Sequence, residues 1–124
     1  MELTQVAQRV EDLDRAVAFY TRLLGAGPVG RFEPPGLAFF RLGSVRLLLE
    51  RGAPAAMLYL QVPDVRSQVE MLRADGVRIE TEPHVIFSHS DDSLGPAGTD
   101  EWMAFFRDSE DNLVGLVSHS AAGS

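Results

Sequence analysis

The chain has no cysteine, so thiol nucleophiles, disulfides and thiolate metal sites are excluded at the outset. Positive charge is also in short supply. Eleven Lys and Arg stand against 18 Asp and Glu, a formal net charge of −7, and the sequence pI is about 4.8. A nucleic-acid partner needs a basic face, which this balance does not supply. No apolar run approaches the roughly 20 residues of a membrane-spanning helix, so no membrane partner is expected. The opening MELTQVAQRVED lacks a basic segment followed by an apolar one; a secretory leader is therefore not expected, and a cytoplasmic location is. Histidine is scarce, at three residues, which narrows the candidates for proton transfer near neutral pH. Gly-rich phosphate loops, nucleophile elbows and HExxH patterns are missing.

What is present repeats. At 124 residues and 45% hydrophobic content, the chain supports one compact domain with a real core. Val10–Gly25 reads VEDLDRAVAFYTRLLG, and Val62–Gly76 reads VPDVRSQVEMLRADG. Each is a strand end, an Asp suited to cap a helix, an amphipathic helix and a closing Gly. The helices are expected over Leu13–Leu24, with Leu13, Val17, Tyr20 and Leu24 on one face, and over Val65–Ala74. Phe39-Phe40-Arg41 before a Gly turn is matched by Phe105-Phe106-Arg107 before DSEDN. Each half reads β-α-β-β-β, about residues 3–50 and 57–118, joined by the linker RGAPAA. Such a repeat suggests two similar halves sharing one core, with a cleft between them. The polar stretch Ser88–Glu101 has no counterpart of equal length in the first half; it reads as a lid, a hairpin extension or a disordered loop. The tail AAGS is expected to fray.

DLDRAVAFYTRLLG and FFRDSEDN resemble the vicinal oxygen chelate superfamily, which includes glyoxalase I, bleomycin-resistance proteins, extradiol dioxygenases and fosfomycin-resistance enzymes. The resemblance spans about residues 3–118. It implies an α+β fold in which two βαβββ modules form an open, cup-like, eight-stranded mixed sheet around a ligand cavity. It also implies a homodimer. The stretches GLAFFRLGSVRLLLE, PHVIF and EWMAFFRDSEDN look most like small bacterial members without an assigned reaction.

Metal-using members of that superfamily carry ligands on the first and last strands of each module. Carried over through the motifs, those positions are Gln5, Leu48, Met57 and Gly115. Leu and Gly side chains donate nothing, Met is too soft for zinc, nickel or manganese, and one Gln cannot hold an ion alone. A register error does not restore the set, because Leu47, Leu49, Leu58, Val114 and Leu116 are also apolar. Neither a metal nor another cofactor is therefore expected, and the four positions are read as lining an apolar ligand cavity.

Strand alternation adds the residues of like parity. Arg46 and Glu50 accompany Leu48, and Tyr59 and Gln61 accompany Met57. Arg46 suits a substrate carboxylate, and Glu50 suits a base in a dry site. His84, beside VIF at a strand end, is the best single proton-transfer candidate. His89, with Asp91 and Asp92 a loose attractor for a cation, reads rather as part of a solvated loop, and His119 closes the strand LVGLVSH near the frayed end. Phe40, Phe106 and Trp102 are aromatic candidates for a ligand-stacking wall, the two Phe more often core.

Three readings of function stand. The first is a metal-independent binder of a small organic molecule that sequesters it or catalyses proton transfer through His84 or Glu50. The second is a drug-binding resistance protein of the bleomycin type. The third is a metal-dependent lyase, isomerase or dioxygenase whose ligands lie elsewhere.

Overall fold

A computed structural model describes residues 1–124. The order of elements is β1 (Gln5–Arg9), α1 (Leu13–Leu24), β2 (Gly30–Phe32), β3 (Leu37–Leu42), β4 (Val45–Glu50), β5 (Leu58–Gln61), α2 (Val65–Ala74), β6 (Ile79–Ser88), β7 (Thr99–Arg107) and β8 (Leu113–Ala121). This is βαβββ twice. The eight strands form two four-stranded mixed sheets, β1-β4-β3-β2 and β5-β8-β7-β6, in each of which the first strand runs parallel to the last.

Both helices begin where an extended Asp bends its carboxylate back onto the first turn. Asp12 accepts the Arg15 N–H at 3.0 Å, and Asp64 accepts the Arg66 N–H at 3.0 Å, satisfying donors that no helical carbonyl reaches. Gly25 ends α1 in the left-handed region at φ 76°, as a residue without Cβ does at little cost. The α1 face is packed by Leu13, Ala16 and Tyr20 rather than by the Val17 and Leu24 positions expected with Leu13 and Tyr20.

The chain divides into two compact units, residues 1–56 with 108–112, and residues 57–107 with 113–124. The DSEDN turn thus belongs with the first half, although it lies in the second half of the sequence. Three contacts explain this. Tyr20, fully buried, donates its hydroxyl to Asp108 Oδ2 at 2.6 Å. Asn112 Nδ2 donates to the Arg9 carbonyl at 2.8 Å. Glu110 accepts the Glu11 and Asp12 backbone N–H groups, each at 2.8 Å, and a bidentate pair from Arg15. Asp111 sits at φ 65°, a left-handed position that Asp tolerates better than most residues.

In the first unit, Ala38, Phe40, Leu47 and Leu49 are almost wholly buried, and the Tyr20 and Phe40 rings meet at 6.3 Å. Alternation puts Phe39, Arg46, Leu48 and Glu50 on the opposite sheet face. In the second unit, Leu58, Ala104, Phe106, Val114 and Leu116 are buried, and Ser118 Oγ accepts the Val65 N–H at 3.0 Å at the start of α2. Tyr59, Met103, Phe105, Gly115 and Val117 take the face away from α2.

Three expectations change. VRIETE and PHVIF form one ten-residue strand, interrupted by irregular register around Pro83. The polar stretch is shorter than Ser88–Glu101, because β6 reaches Ser88 and β7 starts at Thr99. The tail is tied down: β8 continues to Ala121, and Gly123 N–H donates to Asp100 Oδ2 at 2.9 Å.

Candidate functional site

On the helix-free face of the first sheet, Gln5 and Arg46 are register partners across β1 and β4. Arg46 Nε donates to Gln5 Oε1 at 3.0 Å, and its guanidinium stands 6.0 Å from the Phe39 ring centroid. Arg46 is exposed, Leu48 is 7% exposed, and Glu50 is half-buried at the end of β4. Arg46 and Glu50 share a face but do not meet. Three residues of strand lie between them, a separation of roughly 13 Å, with Leu48 on the same face.

The second sheet presents a different surface. Tyr59 lies opposite Gly115 in the β5–β8 ladder, and Phe105 lies opposite Gly115 in the β7–β8 ladder. The two rings meet edge to face at 6.1 Å and 81°. A β-carbon built on Gly115 would stand 2.9 Å from Tyr59 Cδ1 and 3.1 Å from Phe105 Cε1. The rings therefore occupy the space into which a side chain at this position would project. Met57, expected to line the cavity, is 42% exposed and Tyr59 is 54% exposed.

The side chains at the four positions expected from the resemblance to carry metal ligands do not fit an ion. Leu48 has no donor atom, Gly115 has no side chain and rings above it, and Met57 offers only a thioether. Gln5 supplies one amide oxygen, already engaged by Arg46.

Two aromatic expectations need correction. Phe40 is 1% exposed and pairs across the sheet with Leu47, so it belongs to the α1-side core, and the ring on the open face is its neighbour Phe39. Trp102 turns toward α2. Arg66 of that helix lies 4.5 Å from its ring centroid, and its indole N–H donates to Ser120 Oγ at 3.0 Å. Trp102 has the parity of the buried Ala104 and Phe106, on the sheet face opposite Tyr59 and Phe105.

His84 is exposed and pairs with Met103 in the β6–β7 ladder. Its Nδ1 lies 3.0 Å from the Glu82 carbonyl. A neutral ring that keeps its proton on Nδ1 for that contact presents Nε2 as a base.

Sequence reasoning missed one cluster. His89 is not solvated: it is 5% exposed. Its Nε2 lies 2.8 Å from Glu101 Oε1, and His119 Nε2 lies 3.1 Å from the same oxygen. Little in the sequence points to it, because His89 reads as solvated loop and His119 as the end of the last strand, next to the fraying tail.

A cleft of about 590 Å³ also opens in the first unit between the α1 N-terminus and the EPPG turn, lined by Glu11, Asp12, Asp14, Arg31, Glu33 and Arg51 among others. Its charges are largely spent on one another: Arg31 bonds Asp14 and Glu33, and Asp12 caps α1.

The sequence matches, over residues 2–116, a family model described as the Glyoxalase/Bleomycin resistance protein/Dioxygenase superfamily. No curated protein matches it. Similar solved structures include a lactoylglutathione lyase from Agrobacterium tumefaciens, with 22% identity, 94% of this chain and 92% of that one covered, and a TM-score of 0.69. A glyoxalase/bleomycin resistance protein from Albidiferax ferrireducens has 20% identity, 94% and 98% coverage, and a TM-score of 0.65. A mutant glyoxalase I from Zea mays has 21% identity and a TM-score of 0.68, with 94% of this chain matched to 44% of that one. At these identities the likeness establishes the fold. No helix is long and apolar enough to cross a membrane.

Proposed function

The chain belongs to the glyoxalase/bleomycin resistance protein/dioxygenase superfamily, and from that premise we propose that it binds a small organic molecule without a metal at the superfamily's usual positions. The observation that carries the reading is the Gly115 arrangement. Tyr59 and Phe105 lie against a glycine at one of the four positions to which the resemblance assigns metal ligands, which makes an expected coordinating position an aromatic one. Aromatic rings with few polar groups suit an organic ligand. Arg46, with Gln5 and Phe39 beside it, supplies an anchor for a carboxylate or similar anion on the first module.

The ligand is sequestered or undergoes proton transfer at the module that holds it. His84 offers Nε2 as a base, and Glu50 is the corresponding group of the first module. The protein is proposed to act in the cytoplasm as a homodimer; Val85, Ile86 and Phe87, 42%, 46% and 48% exposed on the end strand β6, support a contact between copies.

Ligand-detected NMR on chelator-treated protein, with a panel of small aromatic carboxylates, tests the proposal. Binding with shifts at Tyr59, Phe105 or Arg46 is expected. Absence of any shift at millimolar ligand would sink it. A cationic glycopeptide titrated in parallel tests the drug-binding reading.

A further inference from the structure

We propose that His89, Glu101 and His119 form a binding site for a divalent transition-metal ion of the zinc class. The site is separate from the four positions that metal-using relatives employ. It does not depend on the small-molecule reading above.

Three neighbouring strands deliver the donors. Glu101 of β7 and His119 of β8 are register partners. His89 directly follows β6, and its N–H continues the β6–β7 pairing by donating to the Thr99 carbonyl at 2.8 Å. One ring nitrogen of each imidazole and a carboxylate oxygen lie within 4.8 Å of one another. Both Nε2 atoms point at the same oxygen, at 2.8 and 3.1 Å. With bonds of about 2.0–2.2 Å to zinc, two ligand atoms on one ion stand roughly 3 Å apart. With each neutral ring carrying its proton on Nδ1, both Nε2 lone pairs are available to an ion beside the Glu101 oxygen, which therefore needs little rearrangement of the three groups.

The surroundings hold these side chains in place. The His89 side chain is 2% exposed, and those of Glu101 and His119 are 16% and 18% exposed. The Phe87 ring packs edge-on against His89 at 4.8 Å. The backbone of the 90–97 loop folds over both imidazoles. A β-carbon on Gly95 would stand 2.8 Å from His89 Cε1, 2.9 Å from its Nε2 and 3.1 Å from His119 Nε2. Only glycine leaves the space before the two nitrogens clear. The loop is closed at its neck by Gly98 N–H donating to the His89 carbonyl at 2.8 Å, and Asp92 stiffens it by accepting the Ala97 N–H at 2.8 Å.

Donor chemistry selects the ion. Two imidazoles and one carboxylate suit zinc, iron, cobalt or nickel, whereas calcium and magnesium take oxygen ligands. Three protein ligands leave a further position for water or another small molecule. Glu101, Met103 and Phe105 alternate onto one face of β7, so the site lies about 13 Å along that face from the Tyr59–Phe105 rings.

The test uses the full chain after chelator treatment and dialysis. Calorimetric titration with zinc is expected to give one ion per chain with a Kd of about 1 µM or tighter. Glu101→Gln and His119→Asn are each expected to weaken it by about 100-fold or more. Gly95→Val, which removes none of the three donor groups but puts a side chain against both imidazole nitrogens, should also weaken it. Circular dichroism establishes that each variant is folded. An independent measurement needs no variant: zinc should move the ring-nitrogen NMR signals of His89 and His119 while leaving those of His84 in place. No saturable zinc uptake at 100 µM, about 100 times the expected Kd, overturns the proposal. So does uptake that survives both substitutions, or that moves His84 instead.

Discussion

Tyr59 and Gly115 are partners across β5 and β8, and the Tyr59 ring lies so close over the glycine that a β-carbon there would meet Cδ1 at 2.9 Å. The pair is coupled through shape alone, so it has a signature in a double-mutant cycle. Gly115→Ala is expected to destabilise the protein by about 1–2 kcal/mol through overpacking. In a Tyr59→Ala background it should cost less than half as much, since the ring that must move is gone. Urea denaturation of the four proteins measures this. Equal costs in both backgrounds would mean that the ring does not rest on Gly115.

The DSEDN turn is held by a buried ionisable network, and its loss is predictable at Tyr20. Burial first, then the charge of Asp108 and the hydrogen bond to it, push the Tyr20 hydroxyl far above its ordinary range, so it is a permanent donor. Tyr20→Phe leaves Asp108 with the Glu110 N–H, the Asn112 N–H and the Asn112 amide. The buried carboxylate then lacks one of its donors, at a cost of about 1–3 kcal/mol. Thermal unfolding should register it as a lowered Tm.

Glu110 gives the same turn a pH dependence. Burial alone would raise its pKa, but Arg15, the Asp12 N–H, Ser109 and the Glu11 N–H outweigh that and bring it from the ordinary 4.5 to about 2. A carboxyl depressed on folding stabilises the protein above its unfolded pKa and loses that contribution as pH falls through the folded one. The window is therefore pH 4.5 down to about 2, and the full effect has an upper figure of roughly 3 kcal/mol at about 1.4 kcal/mol per pH unit. Wild type and Glu110→Gln should differ most at pH 6 and converge toward pH 2 in denaturant titrations. A difference that stays constant across that range would exclude Glu110 as the cause.

Much of the fold was legible because it is written in local chemistry. Asp12, Gly25 and Asp64 mark helix ends through caps that involve only their near neighbours, and both helices begin and end as the sequence indicates. Alternation then decides which side of a strand is core, yet it gives no sign of which side that is. Residue type alone therefore names Phe40 and Trp102 as aromatic candidates without telling that the ring on the open face is Phe39 and that Trp102 packs on Arg66. The Tyr20–Asp108 bond and the His89–Glu101–His119 cluster join residues 88, 12 and 18 positions apart. Pairing of this kind follows from strand register, and β6 reaches its register through irregularities that no periodic pattern encodes.

The end strand β6 carries the last prediction. It is ten residues long, it has one unpaired edge in the order β5-β8-β7-β6, and Val85, Ile86 and Phe87 on it are exposed. A long edge with adjacent apolar side chains invites pairing with another chain unless charge or a cover prevents it. The charges on β6, Glu80 and Glu82, are engaged with Arg107 and Arg73 and lie at the other end from Ile86. If copies of the chain associate through this edge, Ile86→Lys places two like charges at the contact and removes apolar area from it. The expected outcome is a dimer mass for wild type and a single-chain mass for Ile86→Lys in sedimentation at micromolar concentration, with unchanged circular dichroism. A wild-type protein that sediments as one chain would show that the edge is left open, and a variant that stays dimeric would show that the contact lies elsewhere.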